Sequence, residues 1–403
     1  MRKKIIILLV MIFSKNGYCQ CFQNISAGYN HVGALKSDNS LWAWGNNYFG
    51  ALGNGTSTPQ YSPVHIFNNC LRISYGYEHS MAIKQNGTLW TWGRNNYGQL
   101  GDGTNIDRIL PTQIGSEINW WKIDTRDLYS FALKSDGTLW AWGWNFYGQF
   151  GDGTNNYQNT PTQIGTDNDW RDISGSKGHT IALKTDGSLW AWGQNNYGQL
   201  GDGTFIDKSN PIQVGTANDW QIINASDDSH SIAVKNNGTL WAWGHNDYGQ
   251  LGDGTSINKN IPIQIGTDTD WQNIASGVSY SIAIKNDGSF WAWGSNDNGQ
   301  FGNGSYIGSF IPINIICPSL EIDGFEERNE ISIYPNPVID KFKIENSSEI
   351  KMIEIFDISG KKVINMTTIS GDNINISALK KGVYLLRIIN YNDIISIKKL
   401  IKI

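Results

Sequence analysis

Two sets of side chains recur in this sequence at a fixed spacing and could in principle do chemistry. The first set is histidine, which can act as a general base or bind a metal ion: His31, His79, His179 and His230. The second set is aspartate within Gly-Asp-Gly-Thr, whose carboxylates could hold calcium: Asp102, Asp152, Asp202 and Asp253. The remaining copies carry other side chains at these positions: Tyr129, Tyr280, Asn54 and Asn303. Positions that accept such replacements are interpreted as structural, the aspartates as turn formers.

Other signatures of catalysis or metal binding are missing from the sequence. It has no Asp-x-Asp-x-Asp-Gly calcium loop, no Cys-x-x-Cys pair and no glycine loop followed by Lys-Ser/Thr. We therefore expect no catalytic residue, no metal ion and no cofactor. The alternative of an extracellular hydrolase or lyase rests on Asp227 and Asp228 beside His230, in the central depression of the fold described below.

A repeat of about 50 residues explains why the same positions recur. Trp-x-Trp-Gly occurs six times, beginning at Trp42, Trp90, Trp140, Trp190, Trp241 and Trp291. An opening aromatic precedes most copies, at Trp121, Trp170, Trp220 and Trp271, and Cys70 takes this position in the second copy. Asp-Gly or Asn-Gly joins two apolar runs in five copies, which is a strong signal for a tight hairpin. Each unit thus predicts four short antiparallel strands.

A four-stranded unit of this length cannot bury both of its faces alone, and stacking around an axis does so. The sequence predicts an all-β fold, a six-bladed β-propeller of four-stranded blades, with seven blades as the alternative. The first and sixth copies keep the full pattern, which favours a closed ring over an open solenoid.

The repeat resembles that of the regulator of chromosome condensation family. The pattern Asn-x-x-Gly-Gln-Leu-Gly carries the resemblance at Asn195 to Gly201 and again at Asn246 to Gly252. The resemblance covers residues 22 to about 316 and implies a propeller, typically of seven blades. The nuclear exchange and chromatin-binding roles of the family's namesake are not expected here, because a signal peptide and an acidic domain oppose both.

The C-terminal segment has a different composition, without tryptophan, and alternating apolar residues predict a small antiparallel β-sandwich. Its motifs resemble the C-terminal sorting domain of the type IX secretion system. The residues that match are Tyr334, Pro335, Asn336, Pro337, Gly360, Lys361, Gly382 and Tyr384. The resemblance implies that the type IX machinery exports the chain; a carbohydrate-binding sandwich is the alternative.

The N-terminus and the charge set the expected location and exclude some partners. Residues 1–19 read as an inner-membrane signal peptide, with Arg2 to Lys4 before the apolar run Ile5 to Phe13. Residues 20–317 then form the propeller, 318–329 a linker and 330–403 the sorting domain. Between residues 20 and 324 there are 26 acidic and 15 basic residues, which opposes nucleic-acid binding. We expect a secreted or outer-surface protein with no membrane span after signal removal.

Any specific function is expected where the six copies differ. Antiparallel connectivity places the loop before the His/Tyr strand and the loop after Trp-x-Trp-Gly on one face. The candidate binding residues on this face are Tyr29, Tyr77, Arg94, Arg126, Trp144, Lys177, Gln194, Asp228 and His245. Exposed aromatic and arginine side chains are typical interface anchors, so we expect an extracellular protein or glycan as the ligand. A structural role in a larger extracellular assembly is the third alternative.

The cysteines predict one disulfide. Cys21 precedes the first blade and Cys317 follows the last, so a closed ring would make them neighbours. An exported protein permits the bond. We therefore predict a disulfide between Cys21 and Cys317.

Overall fold

The computed structural model describes residues 22–316, 332–344, 350–357, 361–367, 373–391 and 395–403. The chain divides into two compact units, one of which is Gln20–Cys317 and the other of which contains the C-terminal strands. All helices and strands in the described ranges are β-strands, and no described helix could cross a membrane. The predicted signal peptide, the predicted linker and both cysteines of the predicted disulfide lie outside these ranges.

The first three repeats each form one four-stranded blade. Blade 1 consists of β1 (Phe22–Ala27), β2 (His31–Lys36), β3 (Leu41–Gly45) and β4 (Gln60–Phe67). Blade 2 consists of β5 (Cys70–Tyr75), β6 (His79–Lys84), β7 (Leu89–Gly93) and β8 (Arg108–Ile114). Blade 3 consists of β9 (Trp120–Thr125), β10 (Tyr129–Lys134), β11 (Leu139–Gly143) and β12 (Gln158–Gln163).

The last three repeats do the same. Blade 4 consists of β13 (Trp170–Gly175), β14 (His179–Lys184), β15 (Leu189–Gly193) and β16 (Lys208–Gln213). Blade 5 consists of β17 (Trp220–Ala225), β18 (His230–Lys235), β19 (Leu240–Gly244) and β20 (Lys259–Gln264). Blade 6 consists of β21 (Trp271–Gly277), β22 (Tyr280–Lys285), β23 (Phe290–Gly294) and β24 (Ser309–Ile315). Strand order follows the chain in every blade, so six antiparallel meanders confirm the predicted repeat.

The predicted hairpins join the second and third strands. In blade 3 the amide of Gly137 donates to the carbonyl of Lys134, and Gly137 has a φ of +80°, which favours glycine. The Asp136 carboxylate accepts bonds from the amide and hydroxyl of Thr138. Blade 1 has Asn39 in place of the glycine, with a φ of 61°.

The core lies between blades, where each blade packs its inner residues against the next. At the junction of blades 3 and 4, Phe131 and Phe150 meet Trp170 and Trp192 in one buried cluster. The indole of Trp192 donates across the junction to the carbonyl of Gln149 at 2.7 Å. Equivalent clusters lie at the other four junctions between consecutive blades. This explains why the second Trp of each motif recurs: blades 2 to 6 bury it completely.

One assignment from the sequence is wrong. Trp121 was expected to open the third repeat, but Trp120 takes that position, paired with Lys134 and only 3% exposed. Trp121 is 42% exposed and lies under the guanidinium of Arg72 from the preceding blade. Two adjacent tryptophans point to opposite sides of a strand, and only the contacts with the neighbouring blade decide which one is buried.

The first and sixth blades do not form a sixth junction in the described part of the chain. Neither β21 nor β22 makes a contact with β1 or β2 comparable to those that join consecutive blades. The expected closure of the ring is therefore a question that the blade faces themselves must answer, and it is taken up below.

The C-terminal unit contains seven described strands: β25 (Ile333–Tyr334), β26 (Lys341–Ile344), β27 (Ile350–Asp357), β28 (Lys362–Met366), β29 (Asn373–Asn375), β30 (Gly382–Asn390) and β31 (Ile395–Lys402). They form a three-stranded sheet, β25-β26-β29, and a four-stranded sheet, β28-β27-β30-β31. Residues from both sheets, such as Phe342 and Leu386, share one buried core. The predicted small β domain is confirmed.

The motif residues of this unit have structural roles. The Asn336 side chain donates to the carbonyl of Lys399 and accepts from the amide of Ile401, which fixes the last strand. The Tyr384 hydroxyl donates to the carbonyl of Lys380 at 2.8 Å. Lys361 closes a turn through its amide on Asp357. Gly360 lies outside the described residues.

Candidate binding face

Two sets of loops meet on one face of the propeller, which we call the loop face. It comprises the loops that join the first and second strands of each blade and the loops that follow the third strand. A backbone hydrogen bond joins the two in every blade, for example from Arg94 to Glu78 and from Trp144 to Leu128. The candidate residues, whose side chains differ from blade to blade, therefore lie together, as the connectivity predicts.

An aromatic stack covers the loop face of blades 1 and 2. The rings of Tyr29 and Tyr77 lie 4.4 Å apart at an angle of 29°, and Tyr29 is 65% exposed. Next to them, Arg94 pairs with Glu78 and its guanidinium lies 4.9 Å above the ring of Phe49. Because these side chains hold one another, the surface is ordered before any ligand arrives.

A second aromatic group lies on blade 3. The rings of Trp144 and Phe146 are nearly parallel, with an angle of 7° and centroids 5.9 Å apart. Tyr147 meets both edge-on. Phe146 is 56% exposed, so this group presents apolar surface to the solvent.

Three candidates lie near the inner ends of the loops. Arg126 is half-buried: its Nε donates to Asp124 at 3.0 Å and its Nη2 to Ser174 at 3.3 Å. Lys177 is exposed, and the Gln194 side chain lies against Gly178. Arg126 is thus committed to an internal ion pair and offers less to a ligand than the sequence suggested, whereas Lys177 is free to reach solvent.

Asp228 and His245 form the most polar cluster of the face. The imidazole of His245 contacts Asp228 through Nδ1 at 3.2 Å and Asp247 through Nε2 at 3.1 Å. The same Asp228 oxygen accepts from the hydroxyl of Ser279 in the next blade. The Asp228 hydrogen bond raises the pKa of His245 despite the opposing effect of burial. Burial would raise the pKa of Asp228, but the bonds from His245 and Ser279 lower it.

This cluster predicts a pH-dependent contribution to stability. Because the pKa of folded His245 lies above the unfolded value of 6.5, the contribution is complete below that value and disappears as pH rises through the folded pKa. We expect His245→Gln to lower the melting temperature more at pH 5.5 than at pH 8.5, in thermal unfolding monitored by circular dichroism. A difference between the two proteins that stays constant or grows with pH would contradict the ion pair.

The repeated histidines and aspartates do not belong to this site. His79 and His230 lie in blade junctions, where Nε2 bonds a serine hydroxyl of the next blade at 2.9 Å. Burial lowers the pKa of both to about 3. Asp102 accepts bonds from the amide and hydroxyl of Thr104, so it closes a turn as predicted. Among the described residues, no group of three His, Cys, Asp or Glu side chains could hold a metal ion.

The proposed enzymatic group also falls apart in the structure. Asp228 is bonded to His245, while His230 is buried and neutral in a junction. Two cavities of the described chain lie between blades, beside Asp102 and Trp140 in one case and beside Asn237 and Trp271 in the other. Neither is lined by candidate residues of the loop face.

The sequence reasoning missed a set of exposed aromatic residues on the loop after the third strand: Tyr48, Phe146, Tyr197 and Tyr248, which are 39% to 68% exposed. The ring of Tyr197 contacts that of His245 at 4.4 Å. The signal was present, since turn formation in Asn-x-Tyr-Gly does not need an aromatic residue. It was hidden because the residue recurs in most copies and was taken for part of the scaffold.

Comparisons with known proteins agree with this architecture. Models of the regulator of chromosome condensation (RCC1) repeat match residues 38–83, 86–123, 136–183, 186–234 and 237–284, and a second model matches 22–51, 71–99, 170–199, 223–250 and 271–300. A model of the secretion system C-terminal sorting domain matches residues 332–403. A domain of this kind supports export to the cell surface or secretion. No curated protein sequence matches the chain.

Solved structures share the fold at low sequence identity. Human WBSCR16 is 21% identical, covers 75% of this chain and 83% of its own, and has a TM-score of 0.67. Yeast RCC1 (Prp20), solved bound to Kap60, is 20% identical with a TM-score of 0.65 and covers 73% of this chain and 75% of its own. The same protein from Saccharomyces cerevisiae, Prp20p, is 22% identical in a further structure, with a TM-score of 0.64 and coverage of 73% and 77%. The repeat models span more than half of the chain, and the chain therefore belongs to the regulator of chromosome condensation repeat family and ends in a secretion system C-terminal sorting domain.

Proposed function

We propose that this chain is exported and then works as a binding module whose loop face takes an extracellular protein. In this proposal residues 1–19 direct the chain to the inner membrane and the sorting domain directs it onward. No sequence or structural feature identifies a reaction centre, and the uniform positions of the repeat are used up by turns and blade junctions. The variable positions remain for recognition.

One observation carries the proposal: exposed aromatic groups are held in place on the loop face before binding. Tyr29 is stacked on Tyr77, and Trp144 on Phe146. Rigid aromatic side chains contribute a large contact area at a low entropic cost, which is why they anchor protein interfaces. Arg94 adds a charge whose position is fixed by Glu78.

The mixture of charges favours a protein over a glycan as the ligand. Arg94, Lys177 and Asp228 place both signs of charge among the aromatic rings. Protein interfaces combine aromatic and arginine anchors with such a polar rim. A glycan site would need aromatic faces open along a groove, and here Tyr77 and Trp144 cover neighbouring rings.

Removing two anchors tests the loop face. We expect the double variant Arg94→Ala/Trp144→Ala to weaken binding of a protein retained from cell-surface extract by at least about a hundredfold, since hot-spot truncations cost about 2 kcal/mol or more each. The measurement is surface plasmon resonance with the identified partner.

Tyr61 supplies the matched control, because it is 96% exposed but lies on the outer strand β4. Tyr61→Ala should leave the affinity unchanged. Equal affinity of the double variant and the wild type would refute the loop face as the site, and retention of a glycan alone would refute a protein ligand.

A further inference from the structure

Blades 1 and 6 each leave one face without a partner, and the five formed junctions define what such a face requires. In each of them the second Trp of a blade donates its indole N–H to a main-chain carbonyl of the preceding blade. The carbonyls belong to Ala51, Gln99, Gln149, Gln199 and Gln250. A serine or threonine hydroxyl of the later blade donates to the same carbonyl, as Ser281 does to Gln250.

Blade 6 presents the corresponding surface to solvent. A Cβ on Gly252 would meet the Trp293 indole at 2.9 Å, whereas a Cβ on the equivalent Gly302 would meet nothing within 4 Å. Ile284 is 36% exposed, although its equivalent in blade 5, Val234, is fully buried. On the other side, Ile25 of blade 1 is 70% exposed. Two apolar faces that are buried at every other junction are therefore open.

The hydrogen-bonding groups of these two faces complement each other. Trp44 occupies in blade 1 the place of the buried Trp92, but it is partly exposed and has no carbonyl partner among the described residues. Gln300 occupies in blade 6 the place of Gln250. The indole of Trp44 and the carbonyl of Gln300 are the donor and acceptor that all five junctions use.

The ring residue and its neighbour also match. Where a blade carries His, the next blade carries Ser, as in His79 with Ser130. Where blade 3 carries Tyr129, blade 4 has the β-branched Thr180 instead, and the tyrosine hydroxyl donates to a main-chain carbonyl. Blade 6 carries Tyr280 and blade 1 carries the β-branched Val32. The only blade without a hydroxyl at this position thus follows a blade that does not need one.

Side-chain size is compensated across the junctions in the same way. Gly33 faces the ring of Tyr75, and the ring of Phe131 faces Gly175. The intermediate pair, Ile181 with Ala225, shares one buried cluster. Blade 6 has Ile282 and blade 1 has Ala27 at the corresponding positions. The open faces would therefore repeat the isoleucine–alanine pairing.

No seventh blade is encoded between the sixth repeat and the sorting domain. Residues 317–331 are far shorter than a repeat of about 50 residues, and the family model of the sorting domain begins at residue 332. We propose that blade 6 docks directly on blade 1 of the same chain, closing a ring of six blades. Because the five formed junctions already hold both blades in one unit, this partner is present at high effective concentration.

Closure would also complete the loop face. It brings the loop face of blade 6 next to Tyr29 and so joins both ends of the aromatic surface. It brings together the chain segments that contain Cys21 and Cys317, which the predicted disulfide would link. A second copy of the chain could offer the same face, but head-to-tail docking would then build open filaments rather than a defined particle.

The alanine on blade 1 provides the test, with its equivalent at a formed junction as the control. In the full-length exported chain, Ala27→Phe should lower the melting temperature by about as many degrees as Ala225→Phe, because overpacking a junction is destabilising. Ala27→Val and Ala225→Val provide a milder pair if either phenylalanine variant does not fold. Light scattering measures the molecular mass of each protein.

The outcomes separate the occupants. Similar destabilisation at both positions in a monomer supports closure. An unchanged melting temperature for the Ala27 variants, with a clear fall for the Ala225 variants, shows that the face stays open and overturns the proposal. Oligomers whose melting temperature rises with protein concentration would assign the face to a second copy, which also overturns it.

Discussion

Lowering the pH from 7 to 5 is expected to destabilise the propeller by about 2 kcal/mol for each buried junction histidine. Burial lowers the pKa of His79, His179 and His230 to about 3 and that of His31 to about 4. The unfolded chain binds a proton at each site below pH 6.5 and the folded chain does not. Stability therefore falls as pH drops below 6.5, and the loss stops only near the folded pKa values.

The junctions explain why these histidines stay neutral. Each ring nitrogen Nε2 is hydrogen-bonded to a serine hydroxyl inside a buried interface, for example His179 to Ser231 at 2.9 Å. A proton would place a charge there without a carboxylate partner, and desolvation of such a charge is costly. Part of the loss is offset by Asp127 and Asp227, whose pKa values burial raises, so that they bind protons more readily in the folded state.

The measurement is urea unfolding followed by tryptophan fluorescence between pH 7 and pH 4. We expect His179→Gln to make the fall in unfolding free energy with acid shallower by roughly a quarter, since it removes one of four similar groups. Tyr129→Phe is the matched control, because it alters the same ring position in blade 3 without removing a histidine. An identical pH dependence in His179→Gln and the wild type would show that the histidine is not the titrating group.

Trp192→Ala is expected to cost about 4 kcal/mol of unfolding free energy, in the range for removal of a buried tryptophan. The side chain is fully buried between blades 3 and 4, where it packs edge-on against Trp170 at 5.7 Å. Its loss also removes an indole bond to the carbonyl of Gln149. That carbonyl keeps the hydroxyl of Thr180 at 2.9 Å, so it is not left without a donor.

Trp190, two residues earlier on the same strand, is the matched control. It is partly exposed, its indole bonds the nearby Ser188 hydroxyl, and its ring lies 4.7 Å from the ammonium of Lys184. We expect Trp190→Ala to cost less than half as much as Trp192→Ala. Guanidinium unfolding of both variants measures the difference, and equal losses would show that the blade junction is not the main source of stability.

Much of the fold could be predicted because the repeat compares six solutions to the same problem. Asp136 and Gly137 indicated a hairpin by local chemistry alone, and the structure places the hairpin there. The replacement of His79 by Tyr129 at the equivalent position correctly indicated a structural role. By contrast, Trp120 and Trp121 could not be distinguished, because a shift of one residue turns each side chain to the other face of the sheet.

The binding face was predicted less completely. Connectivity placed Arg94 and Trp144 on the correct loops, since the order of antiparallel strands determines the side on which a loop lies. It could not reveal that Arg126 would be occupied by Asp124, or that Asp228 would bond His245 rather than act with His230. These pairs join residues from different strands, loops or blades, and their distances depend on how the elements pack.

The sequence by itself determined the repeat, the turns and the type of blade, because these depend on contacts between residues close along the chain. It also determined the sorting domain, whose motifs stand in order near the C-terminus. Only the tertiary structure decided which tryptophan of a pair is buried, which charges are neutralised and which faces stay open. Those properties arise from packing between blades about 50 residues apart, where the geometry of the interface selects among side chains that the local sequence leaves equivalent.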